Sequence, residues 1–400
     1  MKILQVYQIF NPEVASGAAR VAYDVSKSLA RRGHKVVFYA SDMKDKLTRG
    51  ASDCTVVDGI EIHRFRTVGK ILPRNLKFYV TPQLVDICSD EIEKFDIIHL
   101  HGYRSFQSVI VHHFAKKYNI PYVLQAHGSL PRIMAKQTLK RIYDVFFGYR
   151  LLKDASKVIA LSPVEVRQYK SIGISEEKIA IIPNGIDLLR YTNLPSKGRF
   201  KERYSIEKGK KVVLYLGRIN QFKGIDFLID AFAYLIKNME YKNAVLVIAG
   251  PNDGYLDAAH KLIKKHRIEN KVLLTGPLFG INKVKAYVDA SIVASLDSLN
   301  EVVFLLVPLE AAACGTSVIV TKSNYIATLV EKGKFGCCVE YGNVPKLAHM
   351  LGDMLSNKSL LTEMGLNGRN FVFENFNWDK IVSTIEEVYE DVVEGRDNVS

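Results

Sequence analysis

Short apolar, β-branched runs alternate along the chain with longer stretches whose apolar positions recur every three or four residues. In the first half the short runs are Ile3–Tyr7, Lys35–Ala40, Ile60–Phe65, Ile97–Leu100, Tyr122–Ala126, Lys157–Ala160 and Ile179–Ile182. Helical spacing fills Ala18–Arg32, Ser105–Tyr118 and Leu139–Leu152, and Asp58-Gly59 predicts a tight turn between two short strands. The second half repeats the theme with Val212–Leu216, Ala244–Ala249, Val272–Leu274, Ala290–Ala294, Ser317–Val320 and Cys337–Glu340. Strands alternating with helices predict βαβ units, parallel sheets and helices on both faces. Pro195, Ser196 and Gly198 mark a turn-rich link, so we expect one doubly wound domain over 1–195 and another over 196–377. Two such domains usually take a ligand in the cleft between them, at the carboxyl ends of the strands. From Trp378 to Glu394, the positions Ile381, Val382, Ile385, Val388, Tyr389 and Val392 predict an amphipathic helix. Its spacing does not choose the domain it covers.

The 400 residues are 48% hydrophobic and 24% charged, which excludes a disordered or collagen-like chain. No apolar run approaches the roughly 18 residues of a membrane span, and the opening MKILQVYQIF reads as a strand rather than a signal peptide. Five cysteines, an odd number without C-x-x-C, indicate neither a disulfide framework nor a zinc site and suit a reducing cytoplasm. The net charge of +13 is unevenly spread. Residues 1–195 hold 29 Lys and Arg against 18 Asp and Glu, a net of +11, and residues 196–400 hold 26 against 24, a net of +2. The first half is therefore expected to meet something anionic.

Candidate chemistry lies in loops that follow strands. Asn11–Ala19 carries Gly17, which lets a ligand approach the backbone where a helix N-terminus offers unpaired N–H groups. No G-x-G-x-x-G occurs there, so a nicotinamide fingerprint is absent, and the loop also fits an ordinary βα turn. A stronger pattern is VVLYLGRINQFKGIDFLIDAF, with Gly217-Arg218 ending a strand and Lys223-Gly224 opening a helix. An Arg fork and a compact Lys charge in one loop suit a diphosphate, although two solvated surface cations would give the same pattern. The stretch is not a P-loop. Glu301 and Glu310 bracket an apolar helical stretch, where a carboxylate needs a partner such as a sugar hydroxyl or solvent. His127 follows a strand of the first half. His99, His101, His112 and His113 lack a Cys or carboxylate at ligand spacing, so no metal is expected.

Together these residues resemble glycosyltransferase family 4, retaining nucleotide-sugar transferases of the GT-B fold. The resemblance rests on SGAARVAYDVSKSLARRGHKVVFYAS, QAHGSLP, VIALSPVEVRQYKSIGISEEKIAIIPNGID, YLGRINQFKGIDFLIDAF, LVIAGP and VPLEAAACGTSVIV, in family order and spacing. It implies two Rossmann-like domains, an acceptor-binding 1–195 and a donor-binding 196–377, with helix 378–400 packed back on the first. It also implies Gly17 near the donor phosphates, His127 on the donor sugar, Gly217, Arg218 and Lys223 at the diphosphate, and Glu310 on the ribose. The chain departs from the family pattern at three places. Ser16 replaces the first glycine of the first loop, Val302 stands eight before Glu310 with Glu301 nine before it, and Leu305 replaces a glycine.

Cleaving a sugar–diphosphate bond leaves negative charge on the diphosphate, which Arg218, Lys223 and a helix N-terminus would stabilise. The chain has no D-x-D, which agrees with a scheme needing no metal cofactor. The expected activity is hexose transfer from a nucleotide-sugar, UDP- or GDP-linked, to a glycan or lipid-linked acceptor. A nucleotide-sugar epimerase of the same architecture and a non-catalytic nucleotide-sugar-binding subunit are the alternatives. Arg64, Arg66, Lys70, Arg132, Lys136 and Lys140 alternate with apolar residues and are expected to face the acceptor or an anionic membrane. A core-packed helix with a basic edge fits equally. No nucleic-acid module is present. The expected location is cytoplasmic, peripheral on the inner face of a membrane.

Overall fold

In the computed structural model, residues 1–10, 17–43, 49–51, 53–68, 79–132, 137–298 and 304–397 are described. The chain divides into two units, Met1–Gly185 with Trp378–Ser400, and Ile186–Asn377. In the first, β1 (Lys2–Ile9), β2 (Lys35–Ser41), β3 (Cys54–Val57), β4 (Ile60–Phe65), β5 (Ile97–His101), β6 (Tyr122–Gln125), β7 (Lys157–Ala160) and β8 (Ile179–Ile181) form one sheet. Its order is β3-β4-β2-β1-β5-β6-β7-β8. All neighbours are parallel except the hairpin β3–β4. Successive residues feed opposite faces: Leu4, Val37 and Tyr39 enter one core, and Ile3, Val36 and Phe38 the other. Both faces are covered, so the strands read as apolar runs rather than as alternation.

The helix Trp378–Asp397 belongs to this first unit. Ile381, Val382, Ile385, Tyr389 and Val392 are buried on the same face as Ile3 and Phe38. Glu386 accepts from Arg32 Nε and pairs with His34 Nε2, both at 2.7 Å. These polar ties fix the helix against the end of Gly17–Arg31.

The second unit holds β9 (Lys211–Leu216), β10 (Ala244–Ala249), β11 (Val272–Gly276), β12 (Ile292–Ser295), β13 (Ser317–Thr321) and β14 (Gly336–Val339). They are all parallel, in the order β11-β10-β9-β12-β13-β14. Both faces again carry apolar cores.

The division falls at Gly185, not in the link expected at Leu194–Gly198. Ile186 N donates to Phe376 O at 2.8 Å, and Ile186 and Tyr191 are buried in the second unit's core. On the other side, a Cβ at Gly185 would lie 2.6 Å from Trp378. A turn-rich composition marks a loop, but burial of Ile186 and Tyr191 decides which unit owns the chain.

Candidate active site

In each sheet, the strand order reverses at one point, and there the loops leaving two adjacent strands part to opposite faces. In the first unit this point lies between β1 and β5. A hollow of about 180 Å³ opens there, lined by Tyr7 and Gln8 of β1, His101–Ser105 after β5, Ala126, His127 and Ser129 after β6, and Ala18. Gly17 begins the helix Gly17–Arg31, and a Cβ there would meet nothing within 4 Å. The position therefore has open space without a steric demand for glycine.

His127 is held with φ +53°, in the left-handed region. Its neighbours fix it there. Gly128 N donates to Glu165 Oε1 at 2.6 Å, Leu161 N donates to Glu165 Oε2 at 2.8 Å, and Ala126 N donates to Tyr169 Oη at 3.1 Å. Glu165 is fully buried, and burial pushes its carboxyl up to about 7 against the pull of those two N–H groups.

A chain of hydrogen bonds runs from His127 into the sheet. His127 Nε2 lies 3.0 Å from His101 Nδ1, and His101 Nε2 lies 2.7 Å from Gln5 Oε1. Gln5 Nε2 donates to Tyr389 Oη at 3.1 Å, which lies 2.7 Å from His99 Nδ1. Gln5 Oε1 can only accept, so His101 carries its proton on Nε2 and presents a bare Nδ1. His127 then donates from Nε2, and its own Nδ1 is left bare and without a partner. Burial holds His127 and His99 at about 3, and His101 well below the usual imidazole range. All three are neutral at physiological pH, so His127 can exchange hydrogen bonds but carries no charge toward an anion. His112 instead pairs with Asp154 at 2.9 Å. The expected absence of a metal among these histidines rests on their spacing; His99, His101 and His112 are engaged in hydrogen bonds.

In the second unit the reversal lies between β9 and β12. The loop from Gly217 to Gly224 leaves β9 and the segment Leu296–Ser298 follows β12. Tyr215 Oη donates to Arg218 O at 2.7 Å, Asn220 Oδ1 accepts from Phe222 N at 3.0 Å, and Ser298 N donates to Phe222 O at 3.0 Å. Gly224 has φ +63°, and a Cβ there would stand 2.0 Å from Leu296 O. No other residue fits at that position. Gly224 caps Ile225–Lys237 without a side-chain hydrogen bond, so the first N–H groups of this 13-residue helix have no side-chain cap. Arg218 pairs with Asp253 at 2.5 Å, and Lys223 pairs with Asp297, whose backbone oxygen accepts from Thr321 Oγ1 at 2.9 Å.

Glu310 is on Leu306–Ala313, where Tyr287 Oη donates to it at 2.7 Å and Lys283 Nζ stands 2.5 Å away. Its carboxylate thus has protein partners where the sequence suggested a need for sugar or solvent. Leu305 has φ −117°, ordinary extended backbone, so the glycine missing there is not required by conformation. Glu301 and Val302 lie outside the described residues.

The expected basic face is only partly as read. Arg64 is tied to Asp53 at 2.9 Å and to Thr55 at 2.8 Å. Arg132 joins Arg104 on the buried Asp144, with Arg132 Nε at 3.0 Å and Arg104 Nη2 at 2.8 Å from the same oxygen. Both arginines are engaged with a buried carboxylate of their own unit, with Arg132 partly exposed. Arg66 is exposed and Lys140 half-buried, while Lys70 and Lys136 lie outside the described residues. The helix expected over Leu139–Leu152 is present and continuous from Gln137 to Asp154, with a π-turn over Asp144–Gly148 inside it. Tyr143 and Asp144 turn inward, and Leu139, Ile142, Val145, Phe146 and Phe147 face solvent, Phe146 at 66% exposure. Sequence reasoning also missed Glu165 and Gln5, and it missed a group formed by Cys54, Glu61 and His63, whose ligand atoms all lie within 4.8 Å of one another.

The family model described as Glycosyltransferase Family 4 matches residues 15–190, and that described as Glycosyl transferases group 1 matches 196–371. The chain belongs to the family-4 type of GT-B glycosyltransferases. It is 24% identical to the N-acetyl-alpha-D-glucosaminyl L-malate synthase of Bacillus anthracis, over 96% of each chain. It is 26% identical to the UDP-Gal:alpha-D-GlcNAc-diphosphoundecaprenol alpha-1,3-galactosyltransferase of Escherichia coli, over 75% of this chain and 76% of that one. Among solved structures it is similar to Anabaena HepE in complex with UDP and glucose, with a TM-score of 0.78, 21% identity, and coverage of 98% and 100%.

Proposed function

We propose that the protein is a retaining hexosyltransferase that takes a hexose from a UDP-sugar and passes it to a glycan or lipid-linked acceptor at the inner face of a membrane. The observation that carries this reading is the β9 loop, where Arg218 and Lys223 flank a helix N-terminus with no side-chain cap. Both cations rest on carboxylates, Asp253 and Asp297, and an incoming diphosphate would exchange those partners for its own oxygens. As the anomeric C–O bond breaks, its electron pair stays on the diphosphate. Arg218, Lys223 and the helix N–H groups stabilise that growing charge. The departing phosphate oxygen takes the proton of the acceptor hydroxyl as the new bond forms on the same face, which retains configuration and needs no metal cofactor. Neutral His127 meets the sugar as a hydrogen-bonding group, and Glu310 meets the ribose. The UDP preference draws on the donors named for the E. coli relative and HepE. The lipid-linked acceptor draws on the apolar exposed helix beside Arg141 and Arg150.

Arg218→Ala and Lys223→Ala are each expected to remove at least about 1.5–3 kcal/mol of transition-state stabilisation, read as the ratio of kcat/KM values. UDP-sugars are expected to raise the unfolding temperature above that with GDP- or ADP-sugars. Less than a twofold rate change in both variants would sink the assignment. Conversion of the donor alone would point to an epimerase.

A further inference from the structure

The hairpin β3–β4 brings together three side chains that the transfer reaction does not use. Its two-residue turn pairs Val57 with Ile60, so the register sets Cys54 directly across from His63. Glu61 precedes His63 by two residues and shares its face of the strand. Cys54 Sγ lies 3.6 Å from His63 Nε2, and Glu61 Oε1 lies 2.7 Å from the same nitrogen. Cys54 is exposed, and Glu61 and His63 are half-buried.

We propose that this hairpin is a zinc site, with Cys54 Sγ, His63 Nε2 and a Glu61 oxygen as ligands and a fourth position open to water. The ligand set is the argument. Thiolate, imidazole and carboxylate on one cation is a zinc combination, and three protein ligands plus water is an accepted coordination. Distances agree with it. Tetrahedral zinc bonds of roughly 2.3 Å to sulfur and 2.0–2.1 Å to nitrogen set the two ligands about 3.5 Å apart, close to the observed Cys54–His63 spacing. The nitrogen–oxygen spacing must open from a hydrogen bond to about 3.3 Å, which a rotamer adjustment of half-exposed Glu61 supplies. On binding, Cys54 releases its proton to solvent and His63 carries its remaining proton on Nδ1.

The backbone supports the site. Cys54 and His63 are on paired strands, and the His63 ring packs edge-on against buried Tyr39 at 5.4 Å. Arg64 holds Asp53, the residue before Cys54, at 2.9 Å. In the sheet, β2 and β1 separate β4 from β5 and its switch-point loops. The metal proposed is therefore separate from the transfer step.

The test uses the full chain, stripped with chelator and titrated with zinc against a chromophoric competitor. One equivalent is expected to bind, and cobalt in its place is expected to give a thiolate-to-metal charge-transfer band with intense tetrahedral visible bands. Cys54→Ser and His63→Gln are expected to weaken binding by about 100-fold and Glu61→Gln by about tenfold, in line with lost metal ligands. Cys337→Ser is expected to change nothing. Zinc should also protect Cys54 from alkylation, which reads the site without any variant. Substoichiometric uptake overturns the proposal. So does one equivalent whose affinity survives both Cys54→Ser and His63→Gln, or a cobalt spectrum without the thiolate band.

Discussion

His127 occupies a left-handed backbone conformation, which costs an ordinary L-residue about 1 kcal/mol or more. Glu165 offsets it. Its two oxygens take one N–H from each side of the structure that holds the loop, Gly128 and Leu161. A glutamine at 165 has one accepting oxygen and an amide that can only donate, so one of these N–H groups would face a donor in the dark of the core. At about pH 8, where the carboxyl is ionised in the fold, Glu165→Gln is expected to destabilise the first unit by about 1–3 kcal/mol, the cost of a buried unpaired donor. Trp378, the single tryptophan, is packed in that unit, so its fluorescence during urea unfolding reports the change directly. An unchanged midpoint would mean that Glu165 does not hold the loop. Lys223 and Gly224 show the same logic from the other unit: the cation is useful only because a residue without Cβ lets the loop pass Leu296.

At the scale of elements, the strands were the most legible part of the chain. Parallel strands covered on both faces leave dense apolar runs, and all the runs named from Ile3 to Cys337 are strands in the structure. The hairpin was legible in Asp58-Gly59, and so in principle was the Cys54–His63 pairing, because a two-residue turn fixes register. The loop carrying Arg218 and Lys223 was legible too, from two cations around a strand-to-helix turn. Gln5, His101 and Tyr389 were not, since the Gln5–Tyr389 bond joins residues 384 apart in sequence and only the packed sheet makes them neighbours. The segment from Leu139 to Leu152 is helical, as its spacing predicts, and of its two readings the structure favours the exposed one: Asp144 is buried against Arg104 and Arg132, and Phe146 and Phe147 face solvent. A large exposed apolar stripe on one short element needs a cover, and with Arg141 and Arg150 beside it an anionic bilayer fits. Wild-type chain is expected to cosediment with phosphatidylglycerol-containing vesicles at low salt. Phe146→Glu with Phe147→Glu should lower bound protein about tenfold or more without changing far-ultraviolet circular dichroism. Equal binding by that variant, or none by the wild type, removes the membrane reading.

Across the whole molecule, the acid response should be concentrated in one unit. His99, His101 and His127 are buried and neutral in the folded first unit, with folded values depressed far below the roughly 6.5 of an unfolded imidazole. Their contribution is present above about pH 6.5 and is lost as pH falls toward the folded values. Glu165 acts with the opposite sign. Its folded value of about 7 exceeds the roughly 4.3 of an unfolded carboxyl, so its contribution is full at low pH and is lost as pH rises toward 7. Between about pH 5 and 6, unfolding therefore takes up three protons on the histidines and releases one from Glu165. The net of two gives a slope of about 2.7 kcal/mol per pH unit, with stability falling as the solution is acidified. The groups shifted most in the second unit are tyrosines and thiols that burial pushes upward, away from this window. Trp378 fluorescence is thus expected to show a urea midpoint that drops steeply from pH 6 to 5, while a second transition in circular dichroism moves less. Glu165→Gln removes the compensating proton, so its slope should steepen toward about 4 kcal/mol per pH unit. A slope that stays flat in the wild type, or becomes shallower in Glu165→Gln, would contradict the neutral histidine chain that orients His127.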